Sequence, residues 1–133
     1  MIIVDTSVWI DYFNGIDTDE TDILDGSLGK QEVAIGDLIL LEILRGFRLD
    51  KDYNIAKKYL ANIQQYSMLN PALALKAANN YRKLRKKGIT IRKTADIIIA
   101  TFCIQKKFPL LYTDRDFIPF SNHLKLQPVS SKT

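Results

Sequence analysis

Ile2-Ile3-Val4-Asp5-Thr6-Ser7-Val8-Trp9-Ile10-Asp11, residues 2–11, is the stretch on which the fold turns. Ile2 to Val4 are β-branched with no polar residue between them, the pattern of a strand buried on both faces. The run ends at an acid, Asp5. Ser7 is then placed to cap a helix carrying Val8, Trp9, Tyr12 and Phe13, which Asn14-Gly15 closes. Strand, acid and helix follow one another within a dozen residues.

The pattern repeats outward from there. Leu110-Leu111-Tyr112 is a second buried-type strand and ends at Thr113-Asp114. Between the two lie a helix over Thr18 to Leu28 with Ile23, Leu24 and Leu28 inward, a strand at Val33 to Ile35, and a helix that begins at Asp37. A longer helix is expected from about Asp52 to Gln65 on the spacing of Ile55, Tyr59, Leu60 and Ile63, followed by an extended piece at Met68-Leu69. Pro71 suits the first turn of the next helix, which turns Leu73, Leu75, Ala77, Ala78, Tyr81 and Leu84 inward until Gly88. Thr94 caps the most apolar helix, Ala95 to Gln105. Lys125 to Val129 is read as an edge strand, before a disordered tail at about 130–133. Helices alternating with strands predict an α/β sandwich with a central, mainly parallel sheet.

A chain of 133 residues is the size of one compact domain, so residues 1–133 are expected to form a single domain. Its 47% hydrophobic and 26% charged residues match an ordinary globular protein and exclude fibrous or disordered classes. The longest apolar runs, Ile97 to Ile104 and Leu38 to Leu44, fall well short of the roughly 20 residues that span a bilayer. Met1-Ile2-Ile3-Val4-Asp5 has neither the basic region nor the cleavage site of an export signal, so cytoplasm is the expected compartment. Cys103, the only cysteine, excludes a disulfide framework and a thiolate zinc cage, and reads as a buried small hydrophobe. The net charge is +4, unevenly spread. Asp17 to Asp25 holds five acids and no base, whereas Arg82, Lys83, Arg85, Lys86, Lys87, Arg92 and Lys93 lie in a stretch without an acid. That stretch is either a solvated face or a surface for a phosphate backbone.

Four acids are harder to explain as surface. Parallel packing of their strands brings Asp5 and Asp114 to one edge, where open parallel sheets bind ligands. Asp96 stands in the first turn of a buried helix, and Glu42 is flanked by apolar residues on both sides. Alone, Asp5 or Asp96 reads as a cap or a dipole partner. Together, crowded carboxylates repel unless a cation lies among them, and an oxygen-only set suits magnesium or manganese. Such an ion can activate a water for in-line attack on a phosphodiester. Competing chemistries lack their parts, because there is no glycine-rich phosphate loop and His123 is the only histidine.

Four segments now combine: Ile2-Ile3-Val4-Asp5-Thr6-Ser7-Val8-Trp9-Ile10-Asp11, Leu41-Glu42-Ile43-Leu44-Arg45-Gly46, Thr94-Ala95-Asp96-Ile97-Ile98-Ile99-Ala100, and Leu111-Tyr112-Thr113-Asp114-Arg115-Asp116-Phe117. In this order, over nearly the whole chain, they closely resemble the VapC-type PIN-domain toxins. The resemblance implies a PIN-like α/β/α sandwich and a magnesium- or manganese-dependent endoribonuclease that arrests translation by cutting RNA, silenced by a cognate antitoxin. It implies that Asp5, Glu42, Asp96 and Asp114 hold the metal and carry catalysis. Asp116 is implied as a supporting or second-ion ligand, with a helix cap as its rival reading. Ser7 and Thr113 are implied to order the site, though both read equally as caps. Arg45 is implied to sit near the pocket, and Arg92 and Lys93 to touch RNA. A homodimer is also implied, with the antitoxin's tail over the acidic groove, and Trp9, Tyr12 and Phe13 serve either that contact or the core. The alternative is a non-catalytic RNA- or partner-binding module of the same fold.

Overall fold

The computed structural model describes residues 1–129, so the tail expected at 130–133 lies outside the described residues. In chain order the elements are β1 (Ile2–Val4), α1 (Thr6–Phe13), α2 (Asp19–Gly29), β2 (Val33–Gly36), α3 (Asp37–Leu44), α4 (Asp50–Leu60), β3 (Gln64–Tyr66), α5 (Pro71–Lys86), α6 (Thr94–Lys106), β4 (Leu110–Leu111), a 3-10 turn (Arg115–Phe117) and α7 (Ile118–Leu124). The four strands form an all-parallel sheet in the order β3-β2-β1-β4. This is the expected α/β class with a central parallel sheet flanked by helices.

The strand order determines where a site can form. From β1 through β2 to β3 the chain steps steadily one way, and right-handed crossovers keep α1 to α4 on one face. The connection from β3 to β4 returns past β1, so the same handedness places α5 and α6 on the other face. The chain after β1 and the chain after β4 therefore part at the junction of these strands, which opens a crevice at their carboxyl ends. Ile3 pairs with Leu110 and Val4 with Leu111, and the Asp5 amide donates to the Leu111 carbonyl at 2.9 Å.

The strands are apolar because both faces are covered. Ile3, Val4, Ala34 and Leu110 are fully buried, and β2 is buried along its whole length. In α6 every residue from Asp96 to Cys103 is buried, as expected of a helix that is apolar all round. Trp9 is fully buried and stacks on Phe13 at 5.8 Å, and Phe13 meets Phe47 and Tyr59 at 6.0 and 5.9 Å. Of the two uses open to Trp9, it takes the core.

Several boundaries differ from the sequence reading. Asp5, not Ser7, is the N-cap residue of α1, through its backbone carbonyl, which accepts from Val8 and Trp9. The helix expected over 52–65 runs from Asp50 to Leu60, and Ala56 and Leu60 face inward while Ile55 is 58% exposed. The inward row lies one position along from the apolar row chosen from sequence. Leu75 likewise points outward, because Leu73 and Ala77 already define the buried side of α5. The third strand is Gln64–Tyr66, not Met68-Leu69: its glutamines are exposed at the sheet edge, where no apolar run is required. Lys93, not Thr94, caps α6. The expected edge strand at Lys125 to Val129 reduces to one bridge, Leu110 to Pro128. Lys125 ends α7 in the left-handed region with φ 68°, and Pro128 has no N–H to extend a ladder.

Candidate metal centre

Each acid reaches the crevice for a local reason. Asp5 follows the last residue of β1 and is 5% exposed. Asp114 stands three residues past β4 and caps the 3-10 turn, its Oδ1 accepting from the Asp116 amide at 2.9 Å. Because α6 precedes β4 and runs back across the sheet, its first turn comes to the same edge and carries Asp96, which is 6% exposed. Glu42 projects from α3 and is half-buried. One carboxylate oxygen from each of Asp96, Asp114 and Asp116 lies within 4.8 Å of the others.

The electrostatics follow from this crowding. Burial lifts the Asp5 carboxyl to about 6 against the pull of the Thr6 amide and the Ser7 hydroxyl, and the Glu42 charge adds to the rise. Burial likewise lifts Asp96, to about 7, with the charges of Asp5, Asp114 and Asp116 pushing the same way and Lys93 opposing. Asp5, Asp114 and Asp116 thus act on Asp96, with Asp96, Asp114 and Asp116 forming the tight group, while Glu42 acts on Asp5. Lys93 Nζ stands 3.6 Å from Asp114 Oδ2, the one ion pair among the described residues.

Hydroxyls hold this cluster in place. Ser7 Oγ donates to Asp5 Oδ2 at 3.1 Å and lies 3.2 Å from Thr113 Oγ1. A hydroxyl has a single proton, so the Thr113 hydroxyl is the donor in that second contact. Ser7 and Thr113, which sequence left between caps and ordering groups, form a chain that ties β1's aspartate to the segment after β4. Sequence reasoning passed over Thr6, whose Oγ1 donates to Glu42 Oε1 at 2.7 Å across 36 residues. Its only signal was its place beside Asp5. The cap that was Asp116's rival reading is made by Asp114. Lys93 meets an acid of the cluster; Arg92 is exposed beside it. Arg45 is exposed at the end of α3 and forms no side-chain hydrogen bond or ion pair among the described residues. Cys103 is buried, and burial pushes its thiol well above the usual range.

The donor set fits a hard divalent ion. It contains only oxygen, and Asp96 Oδ2 is buried with no hydrogen-bond partner. A buried carboxylate oxygen without a partner is expensive, and a cation would satisfy it while offsetting the burial and repulsion that raise Asp5 and Asp96.

Comparison with known proteins agrees with this picture. The sequence profile of the PIN domain matches residues 2–121. Ribonuclease VapC11 of Mycobacterium tuberculosis is 26% identical over 132 residues, covering 98% of each chain. Among solved structures, VapBC2 of Rickettsia felis bound to a DNA fragment from its promoter is 16% identical with a TM-score of 0.76, covering 97% of this chain and 98% of that one. A toxin–antitoxin complex from Klebsiella pneumoniae is 15% identical with a TM-score of 0.71, covering 98% of both. At these identities the solved structures speak to the fold.

Proposed function

The chain belongs to the PIN-domain family, and on that premise we propose that it is the toxin of a type II toxin–antitoxin pair, a magnesium- or manganese-dependent endoribonuclease that inhibits translation by hydrolysing RNA phosphodiester bonds. The observation that carries this reading is the grouping of Asp96, Asp114 and Asp116 carboxylate oxygens within 4.8 Å of one another, near buried Asp5, with one Asp96 oxygen lacking any partner.

In this reading Asp5, Glu42, Asp96 and Asp114 hold the metal, and Asp116 supports the set from the Asp96 and Asp114 side. The ion supplies Lewis acidity, making water nucleophilic near neutral pH and neutralising charge on the phosphoryl group. The protein supplies position. The hydroxyls of Ser7 and Thr113 orient Asp5, and that of Thr6 orients Glu42. Lys93 and Arg92 border the acids and meet the RNA backbone. Hydrolysis leaves a 5′-phosphate and a 3′-hydroxyl.

The partners are an antitoxin, whose tail covers the acidic groove, and a second copy of the chain. Leu41 of α3, Ile55 of α4 and the intervening Leu49 are all more than half exposed, which supports a protein partner on that side. The described residues form one domain, and the expected compartment is the cytoplasm; no helix among them is long and apolar enough to cross a membrane.

The test is to incubate purified protein with total cellular RNA and magnesium or manganese, beside Asp5→Asn and Asp96→Asn variants. Cleavage is expected with either ion and in neither variant. Undiminished cleavage by both variants would refute the site. RNA binding that survives EDTA, with no cleavage under any divalent ion, would favour the non-catalytic module.

A further inference from the structure

A groove of about 480 Å³ lies between α5 and α6, lined at the α6 N-terminus by Thr94, Ile97 and Ile98. Its lining is mostly apolar, including Ala74, Ala77 and Ala78 of α5 and Ile97 and Ile98 of α6. Tyr81, Arg92 and Thr94 add polar groups to its lining. Tyr81 also lines a second depression with Arg82, Arg85 and Lys86, and the Arg85 guanidinium lies 6.0 Å from the Tyr81 ring centroid. Tyr81 thus lines both hollows. They are linked to the acids over a very short path, because Arg92 lines the groove while the next residue, Lys93, pairs with Asp114.

We propose that this groove receives an unstacked base of single-stranded RNA, with Tyr81 as its stacking partner and Arg92, Arg85 and Arg82 on the adjoining phosphates. The inference rests on the nuclease reading and adds a base subsite to it. An apolar groove lined in part by an aromatic residue, with cations beside it, is the arrangement that holds single strands, since every base offers a π-face and every nucleotide a phosphate. Charge decides against the other occupant that an apolar groove invites, a second copy of the chain. All seven cations between Arg82 and Lys93 are exposed, no acid lies among them, and only Lys93 is ion-paired among the described residues. A two-fold contact centred here would set those cations against their own image, whereas RNA complements them. The three alanines also matter: larger side chains on this face of α5 would fill the slot.

The experiment uses the full chain in EDTA, so that nothing is cut, and a short single-stranded oligoribonucleotide carrying 2-aminopurine, whose fluorescence falls on stacking. Binding with quenching is expected. Ala78→Phe fills the groove from an exposed position and is expected to weaken binding at least about fivefold and abolish the quenching. Its manganese-induced thermal shift should match that of the unaltered protein, since the acids are untouched. Arg92→Gln leaves the apolar lining intact and should flatten the dependence of log affinity on log salt by about 0.7, one phosphate contact. Unchanged RNA affinity and quenching in Ala78→Phe overturns the proposal, as does a salt dependence that Arg92→Gln leaves unaltered. If sedimentation shows that Ala78→Phe only splits a dimer while RNA still binds as before, the groove is a self-association face and the proposal fails. The nuclease reading stands or falls separately, on whether the unaltered protein cleaves with manganese.

Discussion

At the scale of single residues, the acid cluster makes the metal-free protein carry strain in a form that pH can read. Burial raises Asp5 to about 6, and burial together with Asp5 and Asp114 raises Asp96 to about 7, both from 3.8. Between about pH 4 and 7 the folded chain therefore binds more protons than the unfolded one. Stability in EDTA is expected to be highest at the acid end of that window and to fall as pH rises through the two values. Calorimetric melting from pH 4.5 to 8 checks this, and a melting point that climbs over the range contradicts it. Asp96→Asn removes the charge that is hardest to accommodate. It should raise stability in EDTA by roughly 1–3 kcal/mol at pH 8, while lowering metal-dependent cleavage by more than the roughly 10–100-fold typical of residues that only support ligands. A less stable Asp96→Asn protein in EDTA would mean that Asp96 is a structural acid. Of these residue-scale features, Asp5, Asp96 and Asp114 were legible because each adjoins a buried element. Thr6 was not, because its bond to Glu42 spans 36 residues and leaves no local mark.

At the scale of elements, the corner between β2 and α3 shows how tightly the site's scaffold is packed. Gly36 ends β2, and the space a Cβ would need there is filled by the side chain of Met68, itself 1% exposed. Asp37 ties the same corner together, its Oδ1 accepting from the Leu38 and Met68 amides at 2.8 and 3.0 Å. Gly36→Ala should therefore destabilise the fold by about 1–3 kcal/mol through overpacking, and pairing it with Met68→Ala should recover part of that loss. Denaturant unfolding of the two variants gives the answer; a neutral Gly36→Ala would show that Met68 yields freely. Elements with apolar reasons to exist, β1, β2, β4 and α6, were read from sequence within a residue or two. Gln64–Tyr66 was not, because an edge strand is specified by its neighbour's unpaired backbone groups and not by its own side chains. The outward turn of Ile55 and Leu75 has the same origin: periodicity identifies an apolar row, and packing selects which row is covered.

At the scale of the whole molecule, the metal should act as a clamp between halves of the fold that the chain joins only through long connections. Asp5 and Glu42 come from one side of the sheet's switch point, and Asp96 and Asp114 from the other. Saturating manganese is expected to raise the melting temperature, and by more at pH 8 than at pH 5, where protonated Asp5 and Asp96 compete with the ion. Equal shifts at both pH values would separate metal binding from these two carboxyls. Sedimentation of the purified chain should give twice its 15.2 kDa mass; a monomer at tens of micromolar would remove the homodimer. The sequence alone determined the class of fold and singled out four candidate acids, since buried strands, helix starts and misplaced charges are properties of a few adjacent residues. Only the tertiary structure decided that Thr6, Ser7 and Thr113 bind the cluster together, that Trp9 belongs to the core, and that a groove lined by Tyr81 and Arg92 opens between α5 and α6. Each of these depends on which residues distant in sequence the strand order β3-β2-β1-β4 brings side by side.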